Sequence, residues 1–363
     1  MSHNRTIDGD RAVYMQHDER AQGLRSWAQA WIATHHQEWG HVISMQVVSG
    51  DASFRRYFRL LLPHGSLIAV DAPPVHENNP AFVAIASALR AHGLQAPEVF
   101  AWQVEQGYLL LHDLGDRVLL PALKPDTVDD LYRQALQLLF RMQECEIVPG
   151  WTLPVYDRVR LMDEMKLFHD WFLVRYLGLS LSVTQHAILS NALELILEQV
   201  MDMPTCFVHR DFHSRNLMLL PDGELGVLDF QDAVTGPFNY DLISLLRDAY
   251  IVWPRTQVQQ WMLYFYKMVN RQGRLEESMS ETDFLESCEW MSAQRHLKVL
   301  GIFARLYLRD GKAGYLKDIP LVLAYLLDEI SYLPALRPLH QLLEQVVYPA
   351  YLDREPQGRV ELL

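Results

Sequence analysis

The residues best suited to do chemistry fall in one stretch, FVHRDFHSRNLMLLPDGELGVLDF, residues 207–230. Leu217-Met218-Leu219-Leu220 and Leu225-Gly226-Val227-Leu228 flank Asp222-Gly223, the dipeptide that a two-residue type I′ hairpin turn favours. In an antiparallel pair closed by that turn, Asn216 falls opposite Asp229 and points the same way. A carboxylate and an amide oxygen side by side are oxygen ligands suited to Mg²⁺, which keeps its other positions for water and phosphate. Asp211, five residues before Asn216, is then a candidate base for an attacking hydroxyl, and the chemistry is phosphoryl transfer by placement and charge neutralisation. A zinc site built from His209, Asp211 and His213 is the competing reading; it has no fourth ligand nearby.

The elements that must position these groups change character along the chain. Residues 1–20 read as a loosely ordered tail, followed by an amphipathic helix through Leu24, Trp27, Trp31 and Ile32. From 42 to 70 the pattern is of short strands, VISMQVV, FRRYFRLLL and SLIAV, separated by a polar turn at 49–53 and by Pro63-His64-Gly65. Asn79 as N-cap and Pro80 open a helix with Phe82, Ile85 and Leu89 on one face and Gly93 as its stop, and strand returns between 97 and 111. A helix beginning at Thr127 is followed by helical patterns over 158–177, 183–201, 256–271, 281–310, 319–333 and 336–348, interrupted by the hairpin. The expectation is an α+β chain of two lobes: 21–115, a small antiparallel-sheet lobe with the hinge, and 116–363, a large mainly helical lobe. A nucleotide would bind in the cleft crossed near residues 111–116.

Composition narrows the function classes. A formal net charge of −13, with no basic stripe, argues against nucleic acid as a partner. No apolar stretch is long enough to span a bilayer, and the N-terminus MSHNRTIDGDRAVYMQHDER is too polar for a signal peptide, so no membrane association and a cytoplasmic location are expected. Cys145, Cys206 and Cys288 are widely spaced and read as small core residues of a reducing compartment. No obligate protein partner is evident.

The spacing H-R-D-x-x-x-x-N at 209–216 is that of the protein-kinase catalytic loop. With His213, Asp229-Phe230, LLLHDLGD, Asp232 and Tyr240-Asp241-Leu242, it resembles the aminoglycoside phosphotransferase family of the kinase-like superfamily over residues 45–250. GDASFRRYFRL, VDAPP and DFQDAVTGPFNYDLISLLRDAY are similar to the branch that phosphorylates the anomeric C1 hydroxyl of N-acetylmuramate and N-acetylglucosamine in bacterial cell-wall recycling. The resemblance implies a two-lobed kinase-like fold, ATP as phosphoryl donor, Mg²⁺ and a small-molecule sugar acceptor. It implies Asp211 as base, Asn216 and Asp229 as metal ligands, and the hinge residues His112, Asp113 and Leu114 at the nucleotide. Where the superfamily places a strand lysine this chain has Asp71, and the helix from Pro80 to His92 has no glutamate to pair with one. Arg55 and Arg56, beside a loop whose amides at Ala52, Ser53 and Phe54 would cradle phosphate, are the candidate substitutes. His213, Arg215, Asp232 and Arg247 are candidate acceptor contacts, Arg215 serving either the γ-phosphate or a sugar carboxylate. Arg210 and Asp241 are expected to be structural. An aminoglycoside or other small-molecule phosphotransferase, and a catalytically inactive nucleotide-binding regulator, are the alternatives.

Overall fold

The computed structural model of the chain describes residues 18–49, 54–355 and 358. They form two compact units. The first holds the described residues up to Arg117 with Pro149–Trp151 and Gly226–Gln231; the second holds Val118–Val148, Thr152–Leu225 and the described residues from Asp232 onward. Ala52 and Ser53, and nearly all of the expected N-terminal tail, lie outside the described residues.

In the first unit, helix α1 (Glu19–His35) precedes strands β1 (Ser44–Ser49), β2 (Arg56–Leu62) and β3 (Gly65–Asp71), helix α2 (Asn79–Ala91), and strands β4 (Val99–Gln103) and β5 (Tyr108–His112). The five strands make an antiparallel sheet in the order β1-β2-β3-β5-β4. Alternation along the strands turns Phe58, Leu60, Leu67, Ala69, Tyr108 and Leu110 to one face, where Ala21, Leu24, Ala28 and Ile32 of α1 pack on them. The cap of α2 is Asn78, not Asn79: the Asn78 side chain accepts from the Ala81 N–H, 3.3 Å, and Asn79 donates to the Ala72 carbonyl, 2.7 Å.

Asp71 fastens this layer. It faces Arg56 across β2 and β3, is 1% exposed, and accepts from Arg56 Nε at 3.0 Å and from Arg20 Nε of α1 at 3.0 Å. Arg56 also grips Asp18, the N-cap of α1. One buried carboxylate therefore joins helix to sheet.

The second unit is mainly helical. Helix α3 (Val128–Met142) is followed by α4 (Arg158–Leu167), which runs on as a π-helical stretch, Phe168–Tyr176, and by α5 (Val183–Met201). Strand β6 (Thr205–Val208) pairs with β9 (Val234–Pro237), and β7 (Leu217–Leu219) with β8 (Leu225–Val227), whose Gly226 and Val227 are counted with the first unit. Helices α6 (Tyr240–Leu246), α7 (Arg255–Arg271), α8 (Glu281–Asp310), α9 (Ile319–Ser331), α10 (Arg337–Leu342) and α11 (Tyr348–Arg354) complete it. A Ser280/Asp283 capping box starts α8 and Gly311 ends it in the left-handed region. Every residue from Ser287 to Gly301 is buried, and the helices around α8 include α4, α5, α6, α7 and α9. At Gly301 a Cβ would come within 2.3 Å of the Leu167 backbone, so α8 and α4 meet main chain to main chain.

The hairpin departs from expectation. The Leu220 N–H donates to the Glu224 carbonyl, 2.9 Å, and the Gly223 N–H to the Leu220 carbonyl, 3.0 Å, so the loop has three residues, Pro221, Asp222 and Gly223, the last at φ +87°. Proline suits the second position of a type I turn, and a left-handed glycine closes it as a bulge. The register shifts by one, and Asn216 and Asp229 are not a facing pair of this ladder.

Asp71→Asn removes the charge that holds Arg20 and Arg56. The variant is expected to lose about 2 kcal/mol of stability, read as a lower urea midpoint; an unchanged midpoint would sink the role given to Asp71.

Candidate active site

In the first unit the cations divide their work. Arg56 is committed to Asp71 and Asp18. Arg55 is 2% exposed, pairs with Glu77 at 3.2 Å, and lies over the Phe82 ring, 5.1 Å from its centroid. Phe82 stacks on Phe230 at 5.0 Å, and Phe230 follows Asp229. Asp229 sits at φ +63° and accepts from Gln231 Nε2 at 2.7 Å. Burial pushes the Tyr57 phenol up to about 12; Arg55 opposes that rise and the negative charge of Asp229 adds to it. Arg55, Glu77, Tyr57, Phe82 and Asp229 thus form one electrostatic and aromatic group. Glu77 was missed in the sequence because it precedes α2 instead of lying within it.

Of the other candidate nucleotide residues, Phe54 is 63% exposed and stacks on His76, ring centroids 4.1 Å apart. His112 is exposed and Leu114 buried. Asp113 accepts from Arg59 Nε and Ser66 Oγ, both 2.6 Å, and from the Gly115 N–H at 2.9 Å. Burial acts to raise its carboxyl, and the Arg59 and Ser66 hydrogen bonds outweigh it and hold the group below the usual range. That makes Asp113 a brace of the backbone at 113–115.

In the second unit, β6 delivers the chain into the loop 209–216. Arg210 adopts φ +77°, uncommon for a residue with a side chain. Buried Asp241, in the first turn of α6, accepts from the His209 N–H at 2.6 Å and the Arg210 N–H at 3.0 Å and fixes that bend. The Asp211 N–H donates to His209 Nδ1 at 3.2 Å, so this nitrogen is an acceptor within the loop. Asn216 Nδ2 donates to the Asp211 carbonyl at 2.9 Å, which orients the amide and presents its oxygen, the atom a hard cation requires.

Beneath Asp211 lies a charge network that the sequence analysis did not identify. Arg295 donates to the Arg210 carbonyl at 3.2 Å and to Tyr240 Oη at 3.1 Å. Lys298, one turn further along α8, donates to Tyr240 Oη at 2.9 Å and pairs with Glu164 at 3.1 Å; Glu164 also binds Arg210 and Tyr156. Burial acts to lift the Asp211 carboxyl, and the positive charges of Lys298, Arg295 and Arg210, with His213 beside them, overcome it and hold the group below the usual carboxylate range. A lysine inside the otherwise apolar run LKVLGIF was the available signal.

The other candidate acceptor residues differ in their settings. Arg247 is sealed in the helical core, 2.7 and 2.9 Å from the two Glu289 carboxylate oxygens and 2.9 Å from Glu329, which is itself fully buried. Asp232 is exposed. His213 and Arg215 both adjoin Tyr250: the His213 ring meets it edge-on at 5.5 Å, and the Arg215 guanidinium lies 3.4 Å from its centroid.

Over 333 residues the chain is 39% identical to the N-acetylmuramate/N-acetylglucosamine kinase of Pseudomonas aeruginosa, covering 91% of this chain and 97% of the relative. It is 37% identical over 335 residues to the enzyme of the same name from Pseudomonas putida, covering 91% and 98%. Among solved structures, the GDP complex of aminoglycoside 2′-phosphotransferase-IIIa has a TM-score of 0.56 at 14% identity, across 85% of this chain and 99% of that one, a likeness of fold alone. The antiparallel sheet followed by a mainly helical remainder is the α+β, kinase-like arrangement that the sequence implied. Residues 44–274 match the description of the phosphotransferase enzyme family, and the chain belongs to that family.

Proposed function

We propose that this chain is an ATP-dependent sugar kinase that phosphorylates the anomeric C1 hydroxyl of N-acetylmuramate and N-acetylglucosamine in peptidoglycan recycling, in the cytoplasm where ATP is available. The observation that carries the reading is similarity along nine-tenths of the chain to kinases named for those sugars; the H-R-D-x-x-x-x-N spacing at 209–216 supports it. ATP and the sugar are the partners the chemistry requires.

In this reading the acceptor hydroxyl oxygen attacks the γ-phosphorus, the bond from that phosphorus to the ADP oxygen breaks, and Asp211 takes the hydroxyl proton late. A hemiacetal hydroxyl is more acidic than an ordinary alcohol, so a carboxylate held in its ionised form by Lys298, Arg295 and Arg210 is a sufficient base. Asn216 and Asp229 are the proposed ligands of Mg²⁺; both offer hard oxygen, which fits that ion. Bound there, Mg²⁺ supplies charge neutralisation for the phosphates. Arg55, oriented by Glu77, is the proposed replacement for the superfamily lysine; Arg56 is left to Asp71. Phe54 and the backbone of the hinge residues His112, Asp113 and Leu114 are proposed nucleotide contacts, with Asp113 also bracing that backbone.

Sugar-dependent ADP release from Mg-ATP, with a phosphorus NMR spectrum of the product, tests the function. Turnover of aminoglycosides alone would favour the family's antibiotic-modifying reading, and no turnover of any acceptor the inactive regulator. Asp211→Asn is expected to lower kcat by about 10²- to 10⁴-fold with ATP binding retained; a rate equal to the parent's removes Asp211 from the mechanism. Glu77→Gln and Arg55→Ala should each raise the KM for ATP about tenfold or more, with the sugar KM little changed, and their effects should not add. Full additivity in that double-mutant cycle would separate the two residues.

The Asp241 clamp predicts a pH dependence of stability. Burial pushes its carboxyl up to about 7 against the pull of the His209 and Arg210 amides. The folded chain therefore holds this proton more tightly than the unfolded one. The stability it supplies is complete below the ordinary carboxylate range and is lost as pH rises toward 7. Measured by urea denaturation, the stability of the parent relative to Asp241→Asn should fall between about pH 4 and about pH 7; a constant difference contradicts the raised value.

A further inference from the structure

Between the loop 209–216 and the end of α8, one group of side chains is held by hydrogen bonds and ring contacts around an arginine that has no acid partner among the described residues. Arg215 forms no hydrogen bond or ion pair with any described residue, and its guanidinium carbon lies over the Tyr250 ring, 3.4 Å from the centroid. Both members of this stack are positioned by a single buried carboxylate. Asp248, 1% exposed, accepts from the N–H of Ser214, next to Arg215, at 3.0 Å, and from the N–H of Tyr250 at 3.3 Å; the Ser214 hydroxyl adds a further bond. On the other side of Arg215, the Asn216 N–H is held by the His213 carbonyl at 2.9 Å. An arginine stacked in this way has its face satisfied and its N–H edge directed for two-point contact with a planar anion.

The surroundings suit a sugar. Tyr250 is flanked by Phe303, centroids 6.5 Å apart, and Phe303 by Tyr315 at 5.2 Å, an aromatic wall against which a sugar face can lie. Two buried polar atoms have no partner among the described residues, Nδ1 of His213 and Oδ2 of Asp318. Asp318 is close enough to feel the Arg215 charge, yet does not pair with it. Buried polar atoms are ordinarily satisfied, and these two would be satisfied by hydroxyl or amide groups of a ligand.

We propose that Arg215 on Tyr250, with His213 and Asp318 beside it, is the subsite that reads the acid group of a carboxylate-bearing amino sugar and so separates it from its neutral counterpart. The inference rests on the sugar-kinase reading above. It assigns the Arg215 N–H edge to the sugar carboxylate and not to the γ-phosphate, and it gives Tyr250 the task of fixing the plane of that edge. N-acetylmuramate and N-acetylglucosamine differ by the lactyl carboxylate, so they serve as matched probes.

The test is steady-state kinetics of the full chain and of Arg215→Met, Arg215→Lys and Tyr250→Leu with both sugars at saturating Mg-ATP. Arg215→Met should lower kcat/KM for N-acetylmuramate by roughly 10- to 100-fold more than for N-acetylglucosamine, mainly through KM. Lysine should restore part of the difference, since it returns the charge without the fork. Tyr250→Leu should shift the ratio of the two sugars in the same direction and keeps the test decisive if the methionine variant does not fold. An equal fall with both sugars assigns Arg215 to the common transition state and overturns the inference, as does an unaltered ratio in these variants. If the unsubstituted chain phosphorylates neither sugar, it is the sugar-kinase reading that has failed.

Discussion

The carboxylate of Asp241, accepting two successive backbone N–H groups, is the constraint on which the second unit depends. It holds the chain at the positive φ of Arg210, and that bend turns Asp211 out of the strand direction set by β6. Without the clamp, a left-handed arginine has no reason to persist, since the local cost is of the order of 1 kcal/mol or more. Around it the helical unit arranges its charges in layers. Arg295 holds the Arg210 carbonyl, Lys298 neutralises Glu164, and Glu164 in turn holds the Arg210 side chain. Asp211, the proposed base, is therefore fixed by main-chain contacts and ionised by side-chain charges, two separate means acting on one residue.

The first unit solves a different problem with similar materials. Two neighbouring arginines where the chain enters β2 serve opposite ends: Arg56 is spent on tying α1 to the sheet through Asp71, whereas Arg55 is turned into the interior against Glu77 and Phe82. An acid at the position where the superfamily carries a cation is thus no defect of the fold, because it serves as the anchor of a helix. In the proposed assignment the positive charge lies instead on Arg55, just before β2, and its acidic partner is Glu77, in the segment just before α2.

Much of this was legible in the sequence because it is written in short-range signals. The Asp211, Asn216 and Asp229 spacing, the strand-rich first third, and helices such as Val183–Met201 and Glu281–Asp310 follow from local pattern and caps. The hairpin register was not recovered, although Pro221 beside Asp222-Gly223 signals a three-residue loop as strongly as the dipeptide signals a two-residue one. Long-range pairing was out of reach. Arg247 reads as a free cation near the loop until Glu289 and Glu329, from two distant helices, close on it. Lys298 likewise reads as an interruption of an apolar face until Tyr240 and Glu164 supply the reason. The short helix Tyr240–Leu246 and the β6–β9 pair were missed because each is too brief to show a period.

The glycine at the crossing of α8 and α4 acquires a meaning from this arrangement. Gly301 lies three residues beyond Lys298, and the backbone it touches, at Leu167, lies three residues beyond Glu164. The lysine and the glutamate can meet at 3.1 Å because their helices are in van der Waals contact one turn away. A methyl group at 301 would wedge the helices apart and lengthen that ion pair without touching any reacting atom. Residue size at one silent crossing point is in this sense a setting for the acidity of the carboxylate proposed as base.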